Sequence, residues 1–246
     1  MVRVLLLLCL FNVGLFKKFV PRYNHGRRVP VICYVDKYTH THPAPYDYDV
    51  SDIPTRYCSH INYAFADIDA RSSELKDTMG TFRNFTSLKE RSPQLRVMLS
   101  VGGWSTQSGY ISAIASEKRS RQTFVKSVIE TLRAYDFDGL DIFWLFPGSA
   151  EWGGRKEDKE NYVSLVKEIR EAMSREDRQD LLLTVGVPLS PYILDKGYDI
   201  YQLNRYVDWM NAIGYELRGK WLNQTDVHSP IVPRSIDPPE LKKNKR

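Results

Sequence analysis

Residues 137–147 read Phe-Asp-Gly-Leu-Asp-Ile-Phe-Trp-Leu-Phe-Pro, and this stretch restricts the fold more than any other. A run so apolar and aromatic, closed by Pro147, predicts a strand buried on both faces, as in a parallel sheet covered by helices. Side chains alternate along a strand. Phe137, Gly139, Asp141, Phe143 and Leu145 therefore share one side, and Asp138, Leu140, Ile142 and Trp144 the other. An inward Asp141 must find hydrogen bonds or take up a proton. Ser100 is a candidate partner, and a structural role for Asp141 is the expectation.

The flanking sequence has the matching pattern. Strand-like runs at 29–35, 60–66, 95–101, 181–187 and 207–215 alternate with segments of helical period. Within 116–135, Phe124, Val125, Val128, Ile129 and Leu132 recur at spacings of three and four. Tyr162, Leu165, Val166, Ile169 and Met173 do the same after a loop at 148–159. Phe82, Phe85 and Leu88 outline a helix ending near Ser92-Pro93. Such alternation predicts an α/β fold of parallel β/α units. About six units are visible, where a closed (β/α)8 barrel needs eight.

Several short patterns together resemble glycoside hydrolase family 18, the chitinases and chitinase-like proteins. The run at 137–147 is similar to the family's catalytic strand, Asp-x-x-Asp-x-Asp-x-Glu followed by an aromatic residue and Pro. Ser100 to Trp104 matches Ser-x-Gly-Gly-Trp, and Tyr63-Ala64-Phe65 matches a Tyr-Ala-Phe run. The segment 210–216 resembles a Met-x-Tyr-Asp strand end, with Ile213, Tyr215 and Glu216 at the three named positions. The resemblance covers about 29–221 and implies a TIM (β/α)8-type barrel, incomplete at its C-terminal side, with a family-like domain over 29–228.

Laid on the catalytic pattern, Asp138 and Asp141 keep the first two positions, Phe143 stands at the assisting Asp and Leu145 at the acid Glu. Family 18 is substrate-assisted: the sugar's N-acetyl oxygen attacks the anomeric carbon. The Glu protonates the leaving oxygen, and the Asp orients the acetamido group and offsets its positive charge. Phe and Leu do neither. Loss of a positioned general acid alone costs roughly 10² to 10⁴ in rate, and loss of the electrostatic partner adds to it. The resemblance thus implies a pseudo-glycosidase without catalytic residues, a non-enzyme that binds chitin or chitooligosaccharides as a lectin.

Matching positions that would meet a sugar are Tyr34, Tyr38, Phe65, Trp104, Tyr215 and Glu216. Aromatic faces at a barrel's C-terminal rim suit sugar rings, and Gly102 and Gly103 are expected to open space beside Trp104. Against binding, the aromatic floor of the family site comes from an eighth strand that the sequence does not show. Two rival readings stand: residual chitinase activity through Glu151 or Glu216, and a growth-factor-like signalling protein that uses the barrel as a scaffold.

The remaining features bear on compartment and partners. The 246 residues carry a net charge of +5, with cations gathered near both ends, which reads as solvated tails. No nucleic-acid motif is visible. His40, His42, Cys33 and Cys58 lack zinc-site spacing, so neither metal nor cofactor is implied. Residues 1–20 have the charge-then-apolar order of a signal peptide, too short to span a bilayer, with an uncleaved anchor as the lesser alternative. With Cys9 in that segment, Cys33 and Cys58 suggest one disulfide of a secreted, extracellular protein, worth about 3 kcal/mol, and the family resemblance supports the pairing. Asn84 and Asn223 head glycosylation sequons. A Pro/Lys-rich tail at 229–246 shows no period and is expected to be disordered. The missing units would reflect a fragment or misread gene, an alternative transcript, or a partner that completes the barrel. The sequence identifies no partner protein.

Overall fold

The computed structural model describes residues 29–104, 106–178, 180–219, 225–230 and 232. The expected signal peptide, Cys9, Asn223 and most of the tail at 229–246 lie outside them. Two units are distinguished, Val29–Gly214 and a second whose described residues begin at Tyr215.

In the first unit the strands are β1 Ile32–Asp36, β2 His60–Ile68, β3 Leu75–Lys76, β4 Arg96–Gly102, β5 Gly139–Phe143, β6 Leu182–Pro188 and β7 Trp209–Ile213. The helices are α1 Phe82–Thr86, α2 Leu88–Arg91, α3 Ser108–Ser116, α4 Lys118–Tyr135, α5 Asp158–Met173, α6 Pro191–Gly197 and α7 Ile200–Leu203. Six strands run parallel in the order β1-β2-β4-β5-β6-β7, and β3 pairs antiparallel with the end of β2. This is the expected α/β architecture of parallel strands, curled as part of a barrel.

The helix faces follow the sequence period. On α5, Tyr162, Leu165, Val166, Ile169 and Met173 are all buried. On α4, Phe124, Val128 and Leu132 are buried, with Val125 and Ile129 at the margin of the same core. Asp136 ends α4 in the left-handed conformation, φ 58°, its N–H returning to the Leu132 carbonyl.

The structure corrects two expectations and adds a helix. The paired part of the central strand is only Gly139–Phe143, because the backbone leaves the ladder before Trp144 to form the rim. The helix expected over 116–135 is α4, and a further helix, α3, precedes it across Glu117, whose backbone is extended. The connection after β6 holds α6 and α7, started by Pro191 in the first turn and by Asp199, whose side chain accepts from Gln202 N.

Candidate functional site

Register decides which side chains meet inside the curl. Ser100 lies opposite Asp141, and Asp141 opposite Thr184. Residues opposite one another on neighbouring strands share a face, so these three point inward together. Asp141 is fully buried and accepts four hydrogen bonds. Ser100 Oγ and Tyr34 Oη donate to Oδ2 at 2.6 and 2.9 Å. Thr184 Oγ1 and Asn211 Nδ2 donate to Oδ1 at 2.6 and 3.0 Å. The second Asn211 proton reaches Tyr34 Oη at 3.0 Å, and Asn211 Oδ1 accepts from Trp209 Nε1 at 3.0 Å. Strands β1, β4, β5, β6 and β7 are thereby tied to one carboxylate. The expected partner Ser100 is present. Tyr34, Thr184 and Asn211 were not foreseen in that role, since their meeting depends on register across the whole sheet.

One layer nearer the C-terminal ends of the strands, polarity changes. Phe143, Leu145 and Ile213 form a small buried cluster with Phe65 and Phe146 at its border. Phe143 is 5 % exposed and Leu145 4 %. The Phe143 ring sits edge-on to Tyr34 at 5.7 Å and tilted to Phe65 at 5.7 Å. Gly186 of β6 makes room for it, because a Cβ there would come within 2.6 Å of the ring. The Phe65 ring lies over Gly103 in the same way, and the Phe143 carbonyl lies against Gly102. The space these two glycines leave is taken by the protein itself, contrary to the expectation that they open it beside Trp104.

Beyond this layer lies the rim. Trp144 is buried, its Nε1 donating to Ser108 Oγ at 2.6 Å and its carbonyl accepting from Tyr198 Oη at 2.7 Å. Burial pushes the Tyr198 phenol well above its usual range. Phe146 then meets Trp104 at 6.2 Å and Trp152 at 6.4 Å, and the two indoles meet at 5.8 Å, all edge to face. Trp104 and Trp152 are each about half exposed. The 148–157 loop that carries Trp152 is held by buried Asp158, which accepts from Arg155 N at 2.7 Å, Gly148 N at 3.1 Å and Ser112 Oγ at 2.7 Å. Sequence reasoning passed over Phe146 and Trp152. The available signal was an aromatic residue in a loop directly after a barrel strand.

The other candidates of the first unit are dispersed. Tyr38 is exposed and carries the Lys37 ammonium 5.0 Å from its ring centre. Lys37 itself is buried and paired with Asp67. Asp138 is buried at the opposite, N-terminal end of β5. It accepts from Val97 N at 2.8 Å and pairs with Arg178 at 2.9 Å, Arg96 at 3.3 Å and Lys89 at 3.5 Å. Glu151 is exposed in the rim loop, and Asn84 is exposed on α1. Cys33 and Cys58 are joined in a disulfide. Tyr215 and Glu216 belong to the second unit. There Glu216 has φ 52°, and burial, then Glu216, pushes the Tyr215 phenol upward. Beside them Leu217 N donates to the His228 carbonyl at 2.8 Å and Arg218 pairs with Asp226 at 3.0 Å. No group of three His, Cys, Asp or Glu suited to a metal ion occurs among the described residues.

The family model for glycosyl hydrolases family 18 matches residues 30–245. Among curated proteins, the Manduca sexta endochitinase is 37 % identical over 217 residues, 85 % of this chain and 39 % of its own length. The Mesocricetus auratus oviduct-specific glycoprotein is 34 % identical over 233 residues, 92 % of this chain and 34 % of its own. Among solved structures, the Group IV chitinase of Ostrinia furnacalis superposes with a TM-score of 0.80 at 32 % identity, covering 88 % of this chain and 59 % of that one. Human YKL-39, described as a pseudo-chitinase with retained chitooligosaccharide binding, superposes with a TM-score of 0.78 at 26 % identity, covering 88 % and 60 %. This chain therefore spans less than two thirds of each of these relatives and little more than a third of the curated ones.

Proposed function

Because the chain belongs to glycosyl hydrolases family 18, we propose that it is a secreted, chitinase-like protein that binds N-acetylglucosamine oligomers without hydrolysing them. The observation that carries this reading is the buried apolar layer of Phe143, Leu145 and Ile213. By the family pattern, positions 143 and 145 would hold the assisting Asp and the acid Glu. In their place are two side chains that donate no proton and hold no charge, packed where water and substrate have little access. The surviving Asp141 has both oxygens committed to four protein donors, which leaves it no role at a sugar. Asp138 is committed to cations at the far end of the strand.

The family contains both chitinases and a pseudo-chitinase that binds chitooligosaccharides. Tyr34, Tyr38, Phe65 and Trp104 and, in the second unit, Tyr215 and Glu216 are the proposed ligand contacts, all of them exposed except the partly buried Phe65. Secretion rests on the Cys33–Cys58 disulfide and on the oviduct glycoprotein relatives, with Asn84 and Asn223 as glycan acceptors. No helix among the described residues is long and apolar enough to cross a membrane.

The test is a long incubation of the chain with chitohexaose, products resolved by mass spectrometry. No shortened oligomer should form. Turnover that persists in the Glu151→Gln and Glu216→Gln variants would refute the assignment of inertness to positions 143 and 145, and turnover abolished by either change would move the chemistry to that carboxylate. The filled layer also favours a second reading, a signalling scaffold. That reading requires a protein receptor whose binding is unchanged by saturating chitohexaose.

A further inference from the structure

We propose that Trp152 is a sugar-contacting residue that, with Trp104, forms an outlying stacking site for the pyranose rings of an N-acetylglucosamine oligomer. This rests on the binding reading above and says where on the molecule the affinity resides. An indole left half exposed forfeits burial that would be worth about 25 cal/mol per Å² of apolar surface, and here two stand together at 5.8 Å. Neither is loosely held. The turn of Trp152 is anchored through Asp158 to Ser112, Arg155 and Gly148. A Cβ on Gly153 would sit 3.3 Å from Gly109 of α3, so the turn lies directly on that helix. Phe146 buttresses both indoles from below while bordering the Phe143 and Leu145 layer.

A rigid aromatic platform with low ordering cost suits a flat ligand with one apolar face and a polar perimeter, which describes a pyranose ring. The exposed Gln107 and Tyr110, at the start of α3 against which the turn packs, supply hydrogen-bonding groups nearby. The deep layer is filled by Phe143, so a chain of sugars gains little there, whereas the rim is open. The platform borders the filled layer, because Trp104 follows Gly103, which lies under the Phe65 ring.

Chitotetraose affinity of the full chain and of the variants Trp152→Ala, Trp152→Phe and Trp104→Ala, measured by calorimetry, tests the assignment. Trp152→Ala should weaken binding about tenfold or more, and Trp152→Phe, which keeps a flat ring, should recover most of it. Should the alanine variant fold poorly, N-bromosuccinimide oxidation of the native chain, mapped by peptide mass, gives the same answer: chitotetraose should protect Trp152. Native binding with an unchanged Trp152→Ala affinity and no protection overturns the role of Trp152 and leaves the lectin reading intact. No binding by the native chain overturns both.

Discussion

Two adjacent layers of the same barrel interior differ in almost every physical respect. At Asp141 the interior is polar and saturated, one carboxylate receiving four donors from four other strands. One step along β5, at Phe143, it is apolar and closed by rings and aliphatic chains. The difference separates what the fold needs from what the family's reaction needs. Asp141 and Asp138 both hold the sheet together, and removing either orphans buried partners. At 143 and 145 the side chains are apolar and pack only against one another and their neighbours, and on the proposed reading it is there that the family's chemistry is lost.

That contrast can be broken by substitution. Asp141→Ala should have the largest effect, since Ser100, Thr184, Tyr34 and Asn211 lose their common acceptor. Buried donors left unsatisfied cost about 1–3 kcal/mol each, so a loss on the order of 4 kcal/mol is expected even after relaxation, read as a fall of about 10 °C in Tm. A loss below about 1 kcal/mol would show that the polar layer is not structural.

The next largest effect is a dependence on pH. His60 is buried beside Trp209, with Ser59 Oγ 2.9 Å from its Nδ1. Burial, and then the positive charge of Arg96, lower its pKa to about 4 against the opposing pull of Asp138. The unfolded chain, titrating near 6.5, binds the extra proton first. Stability is therefore complete above about pH 6.5 and falls as pH drops towards 4, by up to about 3 kcal/mol. Urea midpoints taken across that range should show the slope, and His60→Gln should flatten it. An unchanged slope in the variant would refute the assignment of the effect to His60.

Asp138→Ala should cost about 2–3 kcal/mol, because Arg96, Arg178 and Lys89 also reach Asp136 or Asp180 and keep part of their compensation. Guanidinium and urea melts of the pair of proteins would measure it. At the small end, Leu145→Met should change stability by less than about 1.5 kcal/mol and, on the proposed reading, should bring no turnover. A larger loss would mean that the apolar layer is as demanding as the polar one beneath it.

Much of the barrel was legible from local pattern, because burial on both faces of a strand and on one face of a helix leaves a mark in adjacent residues. The α5 face from Tyr162 to Met173 and the run containing Asp141 are cases. Helix α3 was not legible: Ser-Gly-Tyr-Ile-Ser-Ala-Ile-Ala-Ser is rich in small residues and weak in period. The hub around Asp141 was half legible. Ser100 could be named, but Tyr34 and Asn211 lie 177 residues apart and meet only once six strands have found their register. The glycines of 102–103 misled, since a missing Cβ shows that space is needed without saying that Phe65 and Phe143 would fill it.

The central claim is binding without cleavage, and an equilibrium titration of the intact chain with chitotetraose addresses it most directly. Tryptophan fluorescence and thermal unfolding would be followed together, and the recovered sugar weighed by mass spectrometry. The account predicts a saturable fluorescence change, a Tm that rises with ligand concentration as native-state binding requires, and sugar recovered at its original length. Sugar recovered in shorter pieces, or a Tm and fluorescence unmoved by ligand, would contradict it.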